Sequence, residues 1–198
     1  METYDKEAMY GRVVNLYLEA NPNPNSLKFV ANFMLVPEGK SYDFPDAESA
    51  KDAPLAQELF KFDYVKRVFY MSNFVTITKS DEREWDEIKT ELKTFIKEYL
   101  EAEKPLFTES YEEKPVINQD DSEVEKKIKQ ILEEYIKPAV EQDGGAISFD
   151  SFNDGVVKVL LQGSCSGCPS STVTLKAGIE NLLKRMVPEV EAVEAEGI

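Results

Sequence analysis

The chain has 198 residues, 42% of them hydrophobic, which is enough for one large domain or two small ones with buried cores. Its 38 acidic and 23 basic side chains give a formal charge of −15. That argues against nucleic acid, whose phosphates demand a basic surface, and against docking on an anionic membrane. No apolar stretch approaches the ~20 residues of a membrane span. The opening Met1-Glu2-Thr3-Tyr4-Asp5-Lys6-Glu7 has no signal-peptide segment and is too acidic for a transit peptide, so a cytoplasmic location is expected.

In chain order, Gly11–Ala20 and Ser26–Val36 are β-rich runs joined by Asn21-Pro22-Asn23-Pro24-Asn25, whose Asn and Pro residues favour a turn. A helix is expected from Ala53-Pro54, burying Leu55, Leu59 and Phe62. Val65–Met71 and Phe74–Thr78 read as strands paired across Ser72-Asn73. Glu84–Glu101 places Trp85, Ile88, Leu92, Phe95, Ile96 and Tyr99 on one helix face, a stripe read as ordinary core.

The composition then breaks. Glu103-Lys104-Pro105 recurs as Glu113-Lys114-Pro115, and residues 105–121 hold one basic and five acidic side chains. This Pro-punctuated acidic piece suits a flexible or extended tether. Residues 1–104 carry net −6 and residues 122–198 net −5. The expectation is therefore two small α+β domains, 1–104 and 122–198, joined by an acidic linker at 105–121.

After the linker, Ser122-Glu123-Val124-Glu125 fits a capping box opening a helix to Lys137. Val124, Ile128, Ile131, Leu132 and Tyr135 would form its buried face, and Pro138 and then Asp143-Gly144-Gly145 would end it. Strands Ala146–Phe152 and Val156–Leu161 flank Asn153-Asp154-Gly155, a hairpin signal. Leu175, Ile179, Leu182, Leu183 and Met186 define a helix that stops before Pro188, and Val190–Val193 supplies a short last strand. Helices and strands in this order make α+β, not a doubly wound sheet.

The most restrictive feature is the C-S-G-C formed by Cys165 and Cys168, the only two cysteines in a chain with no histidine. A soft-metal site must be built on this pair, and four protein thiolates need a second copy of the chain. Ser/His/Asp and Cys/His catalysis are excluded. Gly163 and Gly167 let backbone amides approach whatever the sulfurs hold. Pro169 at the first helical position, with Cys168 as N-cap, turns a helix N-terminus toward the sulfurs and favours thiolate or an anionic cluster. Ser164, Ser166, Ser170 and Ser171 offer small polar groups. Three readings stay open on spacing alone: an iron–sulfur cluster, a zinc site clipping two chains, and a thiol–disulfide oxidoreductase. Asp143-Gly144-Gly145 reads as a helix stop and turn, since carboxylates are hard ligands poorly matched to iron–sulfur chemistry.

Several segments resemble the NifU-like (Nfu) family of iron–sulfur cluster proteins. In the second domain these are Ile136-Lys137-Pro138-Ala139-Val140-Glu141-Gln142-Asp143-Gly144-Gly145, Leu161-Gln162-Gly163-Ser164-Cys165-Ser166-Gly167-Cys168-Pro169 and Pro188-Glu189-Val190. In the first they are Asn21–Phe29, Pro54–Phe60 and Asn73–Lys79. The resemblance implies a non-enzymatic carrier or late scaffold. It would hold a 4Fe-4S cluster between two protomers through Cys165 and Cys168, receive it from an upstream assembly scaffold and pass it to iron–sulfur apoprotein acceptors. A cluster-linked homodimer follows from the ligand count. The larger nitrogen-fixation NifU resembles this chain only in its last domain, and with no cysteine before Cys165 the chain lacks that protein's other cluster sites. A thioredoxin-like activity fits less well, because no aromatic precedes the first cysteine and the preceding hairpin is not a βαβ approach.

Overall fold

A computed structural model of the chain describes residues 13–109, 111, 121–166 and 169–197, with only the backbone for 169–172. Its first half is built on β1 (Leu16–Ala20), β2 (Ser26–Ala31), β3 (Ser41–Phe44), β4 (Val65–Met71) and β5 (Phe74–Lys79), with helices α1 (Pro54–Leu59) and α2 (Trp85–Glu101). The strands form one antiparallel sheet in the order β1-β2-β5-β4-β3. β-branched and aromatic side chains dominate β4 and β5, which suits a pleated packed surface. Ser72 takes φ +48 to close their hairpin. Leu27 and Phe29 of β2, Val68 and Tyr70 of β4, and Val75 and Ile77 of β5 point to one face. There they meet Leu55 and Leu59 of α1 and Ile88, Leu92 and Ile96 of α2 in a closed core.

The structure departs from the expected elements here in three ways. β3 was not expected, because four residues at a sheet edge carry little pattern. Trp85 is only partly buried, and its indole N–H donates to the Pro24 carbonyl at 2.9 Å, bracing the Asn-Pro loop against α2. The start of the expected flexible tether is docked. Leu106, Phe107 and Tyr111 pack on the first core, Phe107 lies 4.5 Å from the Tyr42 ring, and the Tyr99 hydroxyl donates to the Pro105 carbonyl at 2.7 Å. Three apolar side chains outweigh the acidic, Pro-punctuated pattern that marked this stretch as linker.

The second half runs α3 (Glu123–Ile131), a π-helical turn (Leu132–Ile136), α4 (Lys137–Gln142), β6 (Gly145–Asn153), β7 (Val156–Gly163), α5 (Pro169–Met186) and β8 (Ala192–Gly197). The capping box forms as expected: Ser122 Oγ accepts from the Glu125 N–H, and the Glu125 carboxylate accepts from the Ser122 N–H. Pro138 does not end the helix. Its ring would clash with a carbonyl one turn back in a regular α-helix, and the π-turn just before it, with the Lys137 N–H reaching back to Leu132, opens room for it. The wider turn shifts the phase of the buried stripe, so Tyr135 points to solvent instead of the core.

β6 and β7 pair antiparallel across Asp154-Gly155, both at positive φ, as a two-residue hairpin requires. β8 joins β7 in parallel after the α5 crossover. On one face of this three-stranded sheet Val157, Val159 and Leu161 meet Ile128, Ile131, Ile179 and Leu183. The molecule is thus two α+β halves. No helix among the described residues is long and apolar enough to cross a membrane.

The central part of the first sheet's second face is also dry, while Tyr17 and Glu19 of β1 at its edge are exposed. An antiparallel sheet often leaves one face to water. Here Val30, Phe69, Met71 and Phe74 pack around Ala146 at the start of β6 in a small third core that joins the halves.

Candidate functional site

The turn Asp143-Gly144-Gly145 and the segment Gly163-Ser164-Cys165-Ser166 lie side by side, because β6 begins where β7 ends. Gly145 pairs with Gly163, and the Ser164 N–H donates to the Gly144 carbonyl at 3.3 Å. The Ser164 hydroxyl makes a short bond to the Asp143 carbonyl and lies 3.9 Å from Cys165 Sγ. Cys165 is buried, 6% exposed, within the second core. A side chain on Gly145 would stand 3.0 Å from its sulfur. Cys168 and Gly167, the other half of the motif, lie outside the described residues. Asp143 caps α4 and Gly144 follows at φ +79, the helix stop and turn expected from sequence. Among the described residues no three Cys, Asp or Glu side chains converge to hold a metal ion.

The first sheet supplies the other wall of this site, which sequence reasoning missed. Asn23 Nδ2 donates to the Ser164 carbonyl at 2.8 Å, and the Thr76 hydroxyl donates to the Gly144 carbonyl at 2.9 Å. Lys28 Nζ reaches the Gln142 carbonyl at 3.1 Å, so the end of α4 and the turn after it are held from β2 and β5. Arg67 Nη1 donates to Ser166 Oγ at 2.8 Å. The same guanidinium forks onto Asp43 through Nε–Oδ1 at 2.9 Å and Nη2–Oδ2 at 2.6 Å. Burial raises the Asp43 carboxyl above its ordinary value, while the hydrogen bond and charge of Arg67 and the Gly163 N–H pull it back. A buried carboxylate with a bidentate Arg and a backbone donor has its lone pairs satisfied, the condition for keeping such a pair in a dry interface.

The glycines record this contact. Gly144 (φ +79) and Gly163 (φ +63) have left-handed backbones that favour glycine, and both also sit against the first sheet. A side chain on Gly144 would stand 2.8 Å from Lys28 Cγ and 2.9 Å from the Thr76 hydroxyl. One on Gly163 would stand 2.9 Å from the Phe69 ring. The Cβ direction at Gly163 is thus filled by the Phe69 ring, and its N–H is turned toward Asp43. The signal for this surface was present in the sequence as Lys28, Arg67 and Thr76 alternating with core residues on strands. Nothing in the alternation says what covers such a face.

Comparison with known proteins finds relatives over both halves of the chain. Residues 16–103 match the family described as "Scaffold protein Nfu/NifU N terminal", and residues 128–194 match the one described as "NifU-like domain". "NifU-like protein 4, mitochondrial" of Arabidopsis thaliana is 44% identical over 190 residues, covering 93% of this chain and 67% of the relative. "NFU1 iron-sulfur cluster scaffold homolog, mitochondrial" of Drosophila willistoni is 42% identical over 184 residues, covering 92% and 64%. The chain thus spans about two thirds of the length of these relatives. The solution structure of a NifU-like protein from Saccharomyces cerevisiae superposes with a TM-score of 0.44 at 23% identity, over 56% of this chain and 93% of that one. The expected cytoplasmic location is corrected by these relatives, which are named as mitochondrial proteins. The acidity of the opening residues is a property of charge and does not by itself fix a compartment.

Proposed function

This chain belongs to the NifU-like (Nfu) family, and on that premise we propose that it is a non-enzymatic carrier of iron–sulfur clusters. Its cargo is a 4Fe-4S cluster held between two copies of the chain by Cys165 and Cys168 of each, received from an assembly scaffold and released to apoprotein acceptors. The observation that carries this reading is that the chain's only cysteines fall inside residues 128–194, the NifU-like segment, at the junction of β7 and α5. Thiolates are the donors iron–sulfur clusters take, one per iron, so two per chain match a four-iron cargo only when two chains meet. The chain divides accordingly into residues 1–104, a joining segment 105–121, and the cysteine-bearing residues 122–198.

Anaerobic reconstitution followed by iron and sulfide analysis and Mössbauer spectroscopy tests this. The expected result is about two irons per chain in a brown dimer with the signature of a four-iron cluster. A colourless protein with about half a zinc per chain, or one with disulfide reductase activity and no iron, would overturn it.

A further inference from the structure

Cys165 stands withdrawn, and the segment on either side of it is held from the first sheet. A cysteine 6% exposed as a residue and packed within its own core cannot bridge to a second chain unless the Ser164–Ser166 turn rotates outward. Asn23 holds that turn on one side at the Ser164 carbonyl, and Arg67 holds it on the other at the Ser166 hydroxyl. Both donors are prepared for this. Asn23 is itself buried. Its N–H donates to Asn21 Oδ1 at 3.1 Å, and its Oδ1 accepts from the Asn25 N–H at 3.0 Å. That local pattern fixes the side chain and leaves its amide N–H₂ aimed at the cysteine loop. Arg67 is aimed by its fork onto Asp43, which in turn accepts from the Gly163 N–H two residues before Cys165.

We propose that Asn23 and the Asp43–Arg67 pair form a latch. In it the first sheet binds the chain's own Gly163–Ser166 segment and keeps Cys165 withdrawn, and the sulfur becomes available only when the two halves undock. Asn23, Asp43 and Arg67 are positioning residues, acting on Cys165 through Ser164, Gly163 and Ser166. The latch and a bridging cargo are alternatives, since both claim the same turn. That last step rests on the carrier reading above, whereas the latch itself is a property of the empty chain. It also assigns the Asn21-Pro22-Asn23-Pro24-Asn25 run a task beyond reversing the chain.

The test is the alkylation rate of Cys165 by iodoacetamide in the full-length apo chain. Cys168→Ser serves as background, so that one thiol reports. Ser166→Ala removes the hydroxyl that Arg67 holds, and Asn23→Ala removes the bond to the Ser164 carbonyl together with the local one from the Asn25 N–H; neither strands a buried charge. Arg67→Met combined with Asp43→Asn removes the charged half of the latch while keeping its volume. Each single variant should alkylate several-fold faster and the double variant about tenfold faster, equivalent to ~1.4 kcal/mol in the opening equilibrium. Arg67→Lys, which can still reach Ser166 but cannot fork, should fall between. Far-UV and near-UV circular dichroism establish that each variant is folded. A purely structural role would lower stability without this graded change in thiol rate. Rates within about twofold of the background in Ser166→Ala, Asn23→Ala and the double variant would overturn the latch. The two readings fail separately. Iron uptake by the parent chain with unchanged rates in the variants removes the latch alone, and no iron uptake by the parent with accelerated rates in the variants removes the carrier reading alone.

Discussion

The two sheets are made from similar residues and placed in opposite situations. β7 in the second sheet alternates buried and half-buried along its length, because one face meets helices and the other is open enough for Lys158 and Glu194 to pair across strands at 3.5 Å. β5 in the first sheet has no such alternation. Phe74, Val75, Thr76 and Ile77 are all buried, since helices cover one face and the second half of the molecule covers the other. The difference teaches where a period-two pattern can be trusted. It marks a face that meets water, and it vanishes where the opposing face meets another folded unit.

The sharpest way to separate the two halves is at the cysteines. On the proposed four-thiolate site, Cys165→Ser or Cys168→Ser should abolish stable cluster binding, taking iron from about two per chain to near zero, because two of the four thiolates would be lost and no histidine can substitute. Thermal unfolding followed by the aromatic signal of the first core should be unchanged. Iron retained at the parental level in either variant would break the assignment of the pair.

Next come the cores themselves. Phe29→Ala empties a site among the strands of the first sheet, and Leu183→Ala does so beneath the second; both side chains are fully buried. Each should lower stability by ~3–5 kcal/mol in urea unfolding. If the halves unfold independently, Leu183→Ala will move only one of two transitions. If the shared core around Ala146 couples them, a single transition will shift.

A smaller effect is expected at the join. Thr76→Val keeps the shape of β5 but leaves the Gly144 carbonyl without its 2.9 Å donor, which should lower stability by about 1 kcal/mol. It should also increase hydrogen exchange at the Asp143–Gly145 turn while leaving the α2 amides protected.

An effect of similar size, confined to one helix end, lies at the start of α3. Ser122→Ala should lower stability by ~1 kcal/mol through the lost cap. Glu125 adds a pH signature. Hydrogen bonds from the Ser122 side chain and then its backbone hold the carboxylate below its ordinary 4.5. A depressed folded value means the contribution is fully present above 4.5 and fades as pH falls through the lower folded value. Acid unfolding of Ser122→Ala should therefore begin from lower stability and show a shallower decline below pH 4.5 than the parent.

Much of this molecule was decided locally and could be read from single segments. The capping box at Ser122, the Asp154-Gly155 hairpin, the paired strands β4 and β5, and the buried stripes of α2 and α5 each rest on residues within a few positions of one another. Side-chain period, turn chemistry and capping act at that range. The cysteine pair was legible for the same reason, as a contiguous motif. Tertiary structure decided what one-dimensional pattern cannot encode. It kept the helix running through Pro138 by widening the preceding turn, and it docked Leu106, Phe107 and Tyr111 where charge and proline content pointed to a flexible or extended tether. Above all it laid Asn23, Lys28, Arg67 and Thr76 on residues more than sixty positions away, beside Cys165. A polar side chain on a strand has the same sequence whether it faces water or a buried carbonyl. Only the packing of two folded surfaces, each shaped by its own core, selects between them.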